Sequence, residues 1–173
     1  KARINRVANV SKHASTIEHL YYNFDIDGIS RACLQEVARH RVASYTVKSS
    51  RYTLQELKKE ELLSYNEDVL NLIDSIVSKY CVLTTHDLVN AKIARQLVHL
   101  RDILLSGVPN DIAKYCMPEA YKTSLVMSIN ARSLQNFLEL RTSKHALKEI
   151  QDLAKALFEA LPEEHKFLFK EYI

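Results

Sequence analysis

The sequence predicts an α+β fold, in which helices pack on a small antiparallel sheet within a single domain that spans residues 1–173. Three observations lead to this fold class. Apolar residues recur at helical spacing along most of the chain, whereas two segments alternate with a period of two, which is typical of half-buried strands. No linker or internal repeat divides the 173 residues, and a chain of this length can bury a sizeable core.

Two segments are predicted to be strands. In residues 18–27, every second side chain from Leu20 to Ile26 is apolar, so the segment has one face to bury. Residues 121–129 alternate in the same way. Residues 45–52 are predicted to be extended or looped, because serines and β-branched residues crowd them.

Helical spacing predicts the remaining elements. Ile29, Ala32, Cys33 and Val37 form one apolar stripe, which predicts a helix after the first strand. The chain begins inside a helical pattern and without Met, so we expect a further segment upstream. Other helices are predicted over residues 66–80, 84–106, 110–114, 131–141 and 143–161, and after Pro162, which is tolerated in a first helical turn.

Composition argues against several kinds of function. The chain has 2 glycines and neither of the common glycine-rich phosphate-loop motifs. A net charge of +3 is low for a dedicated nucleic-acid binder. The 3 cysteines have no metal-ligand or disulfide spacing, so no metal is expected. A cytoplasmic protein is expected, because the sequence contains no signal peptide and no apolar stretch of membrane-spanning length.

One stretch concentrates basic and hydroxyl side chains. Arg39, His40 and Arg41 lie where a predicted helix gives way to a loop, so their side chains point in different directions and can contact several groups of one extended ligand. Residues 49–51 then offer two hydroxyls and a guanidinium, which suit a phosphate. A solvated basic helix end has the same composition, so this stretch alone is a weak signal.

A second polar cluster follows the second predicted strand. Asn130 closes that strand and can cap the next helix. Arg132 and Asn136 are four residues apart and share one helix face, whereas Arg141 lies on another. Such pairs are common on solvated helices, so this cluster is also weak when taken alone.

Together, these clusters resemble the signatures of the flavin-dependent thymidylate synthases. Residues 39–49 match that family's R-H-R-x7-S pattern, and an Arg and a Tyr follow in its continuation. Residues 130–141 resemble its second signature, and residues 13–19 resemble its H-x-[ST]-x-x-E-H segment. The three motifs occur in the family's order, so the chain is identified as a member of this family.

The resemblance implies a methyltransferase that makes dTMP from dUMP, with 5,10-methylenetetrahydrofolate as carbon donor and FAD, reduced by NADPH, as hydride source. It also implies a homotetramer with shared active sites, and neither a nucleic-acid nor a membrane partner. The residues that match the family's FAD ligands are Ser15, Arg39, His40, Arg41, Asn130, Arg132 and Asn136. The residues that match its dUMP ligands are Glu36, Arg39, Ser49, Ser50, Arg51, Lys114 and Arg141.

Three positions depart from the family pattern. Val47 stands where many members have Glu, so a contact through that carboxylate is lost. Lys114 replaces an Arg that grips the dUMP phosphate; Lys keeps the charge but not the planar fork. Glu36 stands where Gln is usual.

The resemblance also implies roles for two of these residues. Arg141 is expected to lie against the uracil ring and to stabilise the negative charge that develops as N3 loses its proton. Arg stays protonated, so this role is electrostatic. Ser49 is either a nucleophile or a phosphate ligand. Because a Ser nucleophile needs an adjacent base and the sequence offers none nearby, the phosphate role is favoured.

Two alternatives remain open. In the first alternative, the chain is a non-catalytic helical module that binds nucleic-acid phosphates through Arg39, Arg41, Lys48 and Arg51, and its binding depends strongly on salt concentration. In the second alternative, the chain is a family member that binds FAD but has lost synthase activity; the three positions that depart from the family pattern leave this open.

Overall fold

A computed structural model of the chain describes residues 2–60 and 76–173. Within these ranges, three strands form one sheet in which the third strand along the chain lies between the other two. The strands are β1 (Tyr21–Ser30), β2 (Ala43–Val47) and β3 (Lys122–Asn130).

Side-chain pairs show that β1 and β3 run antiparallel. The Ser128 hydroxyl donates to Asn23 Oδ1, and the Ser124 hydroxyl donates to Asp27 Oδ1. A step of four residues forward along β1 therefore corresponds to four residues back along β3. Both strands bury alternate residues, which confirms the two strand predictions. The buried rows are Tyr22, Phe24 and Ile26 in β1, and Thr123, Leu125, Met127 and Ile129 in β3.

Helices account for most of the remaining described residues, as predicted. Short helices occur at Ala2–Asn5, Ser78–Tyr80 and Asn110–Ala113. Of the helix predicted over 66–80, residues 66–75 lie outside the described residues. Among the described residues, the helices of eight or more residues are α1 (Arg31–Ala38), α2 (Ser50–Lys58), α3 (Asp87–Leu105), α4 (Ala131–Arg141) and α5 (Lys148–Glu159).

Three local predictions were wrong. Ile29 lies in β1 and not in the helical stripe, because the Ser30 hydroxyl accepts from the Cys33 backbone N–H and so starts α1 after it. Residues 50–52 are not looped; they form the first turn of α2. Pro162 begins a turn, and the segment after it contains two short 3₁₀ helices, Lys166–Leu168 and Lys170–Tyr172.

The described residues group into two compact units, and the single domain of residues 1–173 stays a prediction. The first unit comprises the described residues of Lys1–Ile26, Gln35–Thr46 and Leu125–Ile173. In this unit, α4 packs against α5, and the apolar side of α4 is buried. The buried apolar side chains of α4 include Leu134, Phe137 and Leu138.

The second unit comprises the described residues of Asp27–Leu34 and Val47–Ser124. Its core forms around α3, which contributes six buried apolar residues. Leu54 and Leu57 of α2 are fully buried in the same cluster. This burial explains why residues 50–58 form a helix despite their many hydroxyl side chains, since packing of an apolar face outweighs a weak local propensity.

Two general features bear on function. Among the described helices, none is both long and apolar enough to cross a membrane. Across the same ranges, no group of three or more His, Cys, Asp or Glu side chains is arranged to hold a metal ion.

Candidate functional site

Helix α4 contacts the other two sequence motifs within the first unit. Near its start, Arg132 Nη1 donates to Glu18 Oε1 at 2.5 Å. At its end, Arg141 Nη1 donates to Glu36 Oε2 at 2.8 Å. Glu18 belongs to the first motif, and Glu36 lies three residues before the second. Side chains from three separate stretches of sequence are therefore brought to one helix.

The start of α4 is fixed by its own first motif residue. Asn130 ends β3 in an extended conformation, and its Oδ1 accepts from the backbone N–H of Ser133 at 2.9 Å. This is the N-cap role expected from sequence. Because the cap determines where the helix begins, it also determines the directions in which Arg132 and Arg141 point.

Glu36 lies between two arginines. Its carboxylate accepts from Arg141 at 2.8 Å and is 3.5 Å from Arg39 Nη1, and its backbone carbonyl accepts from Arg141 Nη2 at 2.7 Å. The Arg141 side chain is only 16% exposed, whereas that of Arg39 is 73% exposed. Arg141 is thus held in one orientation, and Arg39 remains accessible to a ligand.

His40 is buried beside this pair, with 8% of its surface exposed. Its ring meets Phe137 edge-on, with 5.5 Å between the ring centroids, and the Tyr45 hydroxyl donates to its backbone carbonyl at 2.6 Å. Burial lowers the pKa of the imidazole, and the positive charge of Arg141 lowers it further. His40 is therefore uncharged at neutral pH.

Two buried nitrogens in this cluster lack partners within the described residues. They are His40 Nε2 and Arg141 Nε. Buried polar atoms are nearly always hydrogen-bonded, so an exception requires an explanation. Both atoms belong to residues that the family resemblance assigns to ligand binding.

The other candidates in the first unit are exposed. Ser15 lies in the 3₁₀ helix Ala14–Ile17, and Arg41 follows His40 in the segment that leads to β2. Arg132 and Asn136 share an exposed face of α4. Arg141 comes nine residues after Arg132, about half a turn further round the helix, so it points elsewhere.

In the second unit, three candidates occupy the start of α2. Ser49 is the N-cap, and its hydroxyl accepts from the Arg51 backbone N–H at 3.3 Å. Ser50 is the first residue of the helix. Arg51 forms a two-pronged ion pair with Asp111, in which Nε and Nη2 donate to the two carboxylate oxygens, both at 2.9 Å.

Lys114 lies near the same ion pair. It directly follows the helix Asn110–Ala113, and its charge helps Arg51 to lower the pKa of Asp111. Arg51 and Lys114, two predicted phosphate ligands, therefore both lie near one carboxylate. An open cavity of about 500 Å³ adjoins Arg51 and Asp111. It is lined by Ser49, Arg51, Tyr52, Gln55, Pro109, Asn110 and Asp111.

The basic stretch of the sequence is not a bare phosphate-binding surface. Arg39 pairs with Glu36 in the first unit. In the second unit, Lys48 pairs with Glu56 at 3.5 Å, and Arg51 pairs with Asp111. Partnered cations suit a defined small anion better than a sequence-tolerant nucleic-acid interface, which needs many free phosphate contacts.

Sequence reasoning missed three residues that shape the site. Asp111 holds Arg51 from 60 positions away, and Glu18 holds Arg132 from 114 positions away. Tyr45 ties the His40 segment to α1, because its hydroxyl also lies 3.1 Å from the Val37 carbonyl. No periodicity or spacing in the sequence indicates contacts at such separations, although Glu18 does belong to a recognised motif.

Comparison with known proteins gives the same family throughout. The family model described as thymidylate synthase complementing protein matches residues 1–165. A flavin-dependent thymidylate synthase from Wolinella succinogenes is 57% identical over 166 residues, covering 96% of this chain and 78% of that protein. One from Helicobacter pylori is 57% identical over 174 residues, covering 99% of this chain and 81% of that protein.

A solved structure agrees with these matches. The crystal structure of thymidylate synthase X from Helicobacter pylori, with FAD and dUMP, superposes with a TM-score of 0.91 at 54% identity. The match covers 98% of this chain and 81% of that one. The family-level prediction from the three motifs is confirmed: this chain belongs to the thymidylate synthase complementing protein family, the family of the flavin-dependent thymidylate synthases.

Proposed function

We propose that this protein makes dTMP from dUMP, with 5,10-methylenetetrahydrofolate as carbon donor and NADPH as reductant. The uracil C5 loses its proton and gains a methyl group, which combines the methylene carbon with one hydride. The two folate nitrogens that release the methylene carbon take up two protons, of which the C5 proton balances one and solvent supplies the other. Tetrahydrofolate and NADP⁺ are the other products. Bound FAD, reduced by NADPH, would supply that hydride. The main support is the Arg141 guanidinium, which Glu36 holds close to the buried His40 ring, since Arg141 Nε and His40 Nε2 both lack a partner among the described residues.

The residues present fit an FAD molecule. Exposed guanidiniums suit its pyrophosphate, because Arg forms two-pronged hydrogen bonds with phosphate oxygens. His40 is neutral and buried, so its unpartnered Nε2 can donate to or accept from a polar edge of the cofactor. The residues that would hold FAD are Ser15, Arg39, His40, Arg41, Asn130, Arg132 and Asn136.

Arg141 would bind the uracil ring and stabilise negative charge on it. Its two terminal nitrogens are occupied by Glu36, so the guanidinium cannot swing away from its position. Glu36, Arg39 and Arg141 together have a net charge of one positive unit, which favours an anionic pyrimidine. A fixed charge of this kind costs no reorganisation when the ring becomes negative.

The 5′-phosphate would bind at the start of α2. The Ser49 and Ser50 hydroxyls, the Arg51 guanidinium and the Lys114 ammonium offer neutral and charged donors to a phosphate dianion. Glu36, Arg39 and Arg141 of the first unit stay predicted dUMP ligands as well. A homotetramer in which each active site draws residues from more than one copy stays a prediction, as does a cytoplasmic location.

Replacing Arg141 tests the proposal. We expect Arg141→Ala to abolish dTMP formation while the FAD-loaded protein still oxidises NADPH, because the substitution removes the charge at the pyrimidine and leaves the predicted flavin ligands in place. Arg95→Ala, which removes an exposed arginine of α3, is the matched control and should leave both activities unchanged. Unchanged dTMP output from Arg141→Ala would contradict the proposed role.

A further inference from the structure

The Asp111 carboxylate accepts two hydrogen bonds from one edge of the Arg51 guanidinium. Nε donates to Oδ1 and Nη2 donates to Oδ2, both at 2.9 Å. An arginine has five N–H donors, and this side-on arrangement uses two of them. Both hydrogens on Nη1 and the second on Nη2 point away from the carboxylate, and within the described residues Nη1 has no protein acceptor. The outer edge of the guanidinium is therefore available to another anion.

The main chain of Arg51 is anchored to the same place. Asn110 Nδ2 donates to the Arg51 carbonyl at 3.2 Å, so adjacent residues hold both the backbone and the side chain of Arg51. Lys114 lies on the same short segment. Residues 110–114 thus position the Arg51 guanidinium and contribute the Lys114 ammonium. One short segment therefore connects these two predicted phosphate ligands of the second unit.

The ion pair is exposed, with 70% of the Arg51 side chain and 55% of the Asp111 side chain accessible. Exposed ion pairs contribute little to stability, because water screens them. The hydrogen bonds raise the pKa of Arg51 and lower that of Asp111, so both groups stay charged around neutral pH. What this pair contributes is orientation of the guanidinium at the edge of the open cavity.

We propose that Asp111 is a positioning residue for phosphate recognition: it holds the inner edge of Arg51 so that the outer edge presents two N–H donors to the 5′-phosphate of dUMP. This inference rests on the proposed function and adds a residue to it. A guanidinium that is already oriented loses less rotational freedom when the phosphate binds, so the nucleotide binds more tightly.

The opposite effect would follow if Asp111 competed with the phosphate for Arg51. Removing the carboxylate would then strengthen dUMP binding, because Arg51 would lose a rival anion. The direction of the change in affinity therefore separates positioning from competition. The contacts favour positioning, because the carboxylate and a phosphate can occupy different edges of the same guanidinium.

The test is the Kd of dUMP for the FAD-loaded protein, measured by calorimetry for Asp111→Asn and for the exposed control Asp102→Asn on α3. We expect Asp111→Asn to raise the Kd about two- to fivefold, the range typical of exposed ion pairs. Binding of deoxyuridine, which lacks the phosphate, should not change, and neither should kcat at saturating dUMP. Asp111→Glu retains both carboxylate oxygens and should restore most of the affinity.

An Arg51→Lys background provides the second measurement. Lysine has no planar fork to orient, so Asp111→Asn should have no further effect there. A dUMP Kd that stays equal or falls in Asp111→Asn would overturn the inference, as would an equal loss for deoxyuridine. A wild-type protein that binds no dUMP would instead overturn the proposed function. Inorganic phosphate titrated into the same variants would then still test Asp111, and equal affinity of wild type and Asp111→Asn would reject its role.

Discussion

Glu36 binds both terminal nitrogens of Arg141 across 105 positions of sequence. The carboxylate accepts from Nη1 at 2.8 Å, and the backbone carbonyl of the same residue accepts from Nη2 at 2.7 Å. Residue 36 therefore sets the orientation of the guanidinium that we assign to the uracil ring. The backbone contact does not depend on the Glu36 side chain, which makes the two contributions separable by mutation.

Glu36→Ala should destabilise the protein and slow dTMP formation. The substitution leaves Arg141 Nη1 without its acceptor in a largely buried position, which costs about 1–3 kcal/mol. Glu36→Gln keeps an acceptor oxygen and should lose less stability and less activity. Urea denaturation and dTMP assays measure the two effects. Glu139→Ala, an exposed carboxylate of α4, is the control, and a Glu36→Ala protein as stable as this control would contradict the account.

Acid should weaken the folded state through His40. Burial and the charge of Arg141 lower the pKa of this imidazole, so below about pH 6.5 the unfolded chain binds more protons at this position than the folded protein does. The stability that neutral His40 contributes is complete above that pH and is lost as the pH falls through the lowered pKa.

Thermal melts of the cofactor-free protein between pH 7 and 5 measure this loss. His40→Gln keeps a polar side chain that does not titrate, so its melting temperature should fall less steeply than that of the wild type. His19→Gln, at an exposed position, should reproduce the wild-type slope. Identical slopes for wild type and His40→Gln would show that His40 makes no such contribution.

Ser49 has a structural role that must be separated from its predicted phosphate contact. Its hydroxyl caps α2, and loss of such a cap costs about 0.5–2 kcal/mol. Asn caps helices as well as Ser does, so Ser49→Asn should keep the stability that Ser49→Ala loses. We expect both variants to bind dUMP more weakly and to turn over at saturating dUMP.

Equilibrium unfolding and dUMP titration of the two Ser49 variants give the answer. If Ser49→Asn binds dUMP as the wild type does, the hydroxyl serves only as a cap. If both variants bind dUMP normally but lose all turnover, Ser49 is a nucleophile and the phosphate assignment is wrong.

Gly107 should resist substitution because of its backbone conformation. It follows α3 with φ of 90°, and a Cβ added there would meet no atom within 4 Å. The cost of Gly107→Ala is therefore conformational, about 1–2 kcal/mol, and Gly107→Asn should cost less because Asn adopts this region more readily. Urea unfolding of the two variants tests the ranking. An alanine variant as stable as the wild type would show that this turn is not strained.

The sequence predicts the sheet well because its strands have a strong local signature. Tyr22, Phe24 and Ile26 in β1 occupy every second position, as do four residues of β3 from Thr123 to Ile129, and a period of two is typical of half-buried strands and not of helices. The first turn of α2 was missed for the converse reason. Ser50 and the N-cap residue Ser49 favour loops locally, whereas burial of Leu54 and Leu57 in the core of the second unit stabilises the helix.

The candidate site was predicted through the family motifs and not through local physics. Those motifs name Arg51 and Arg141, but not the acidic partners that orient them, because Asp111 and Glu36 meet these arginines only after folding. Glu36 was predicted as a ligand, and its contact with Arg141 was not foreseen. Contacts across 60 to 105 positions leave no periodic trace in a single sequence.

An omission assay tests the central claim most directly. The full-length protein, stripped of flavin, is incubated with dUMP, 5,10-methylenetetrahydrofolate, NADPH and FAD, and dTMP is measured by chromatography with each component left out in turn. The account predicts that dTMP forms in the complete mixture and in none of the mixtures that lack one component. No dTMP from the complete mixture, although the protein retains FAD and binds dUMP, would contradict the assignment as a synthase.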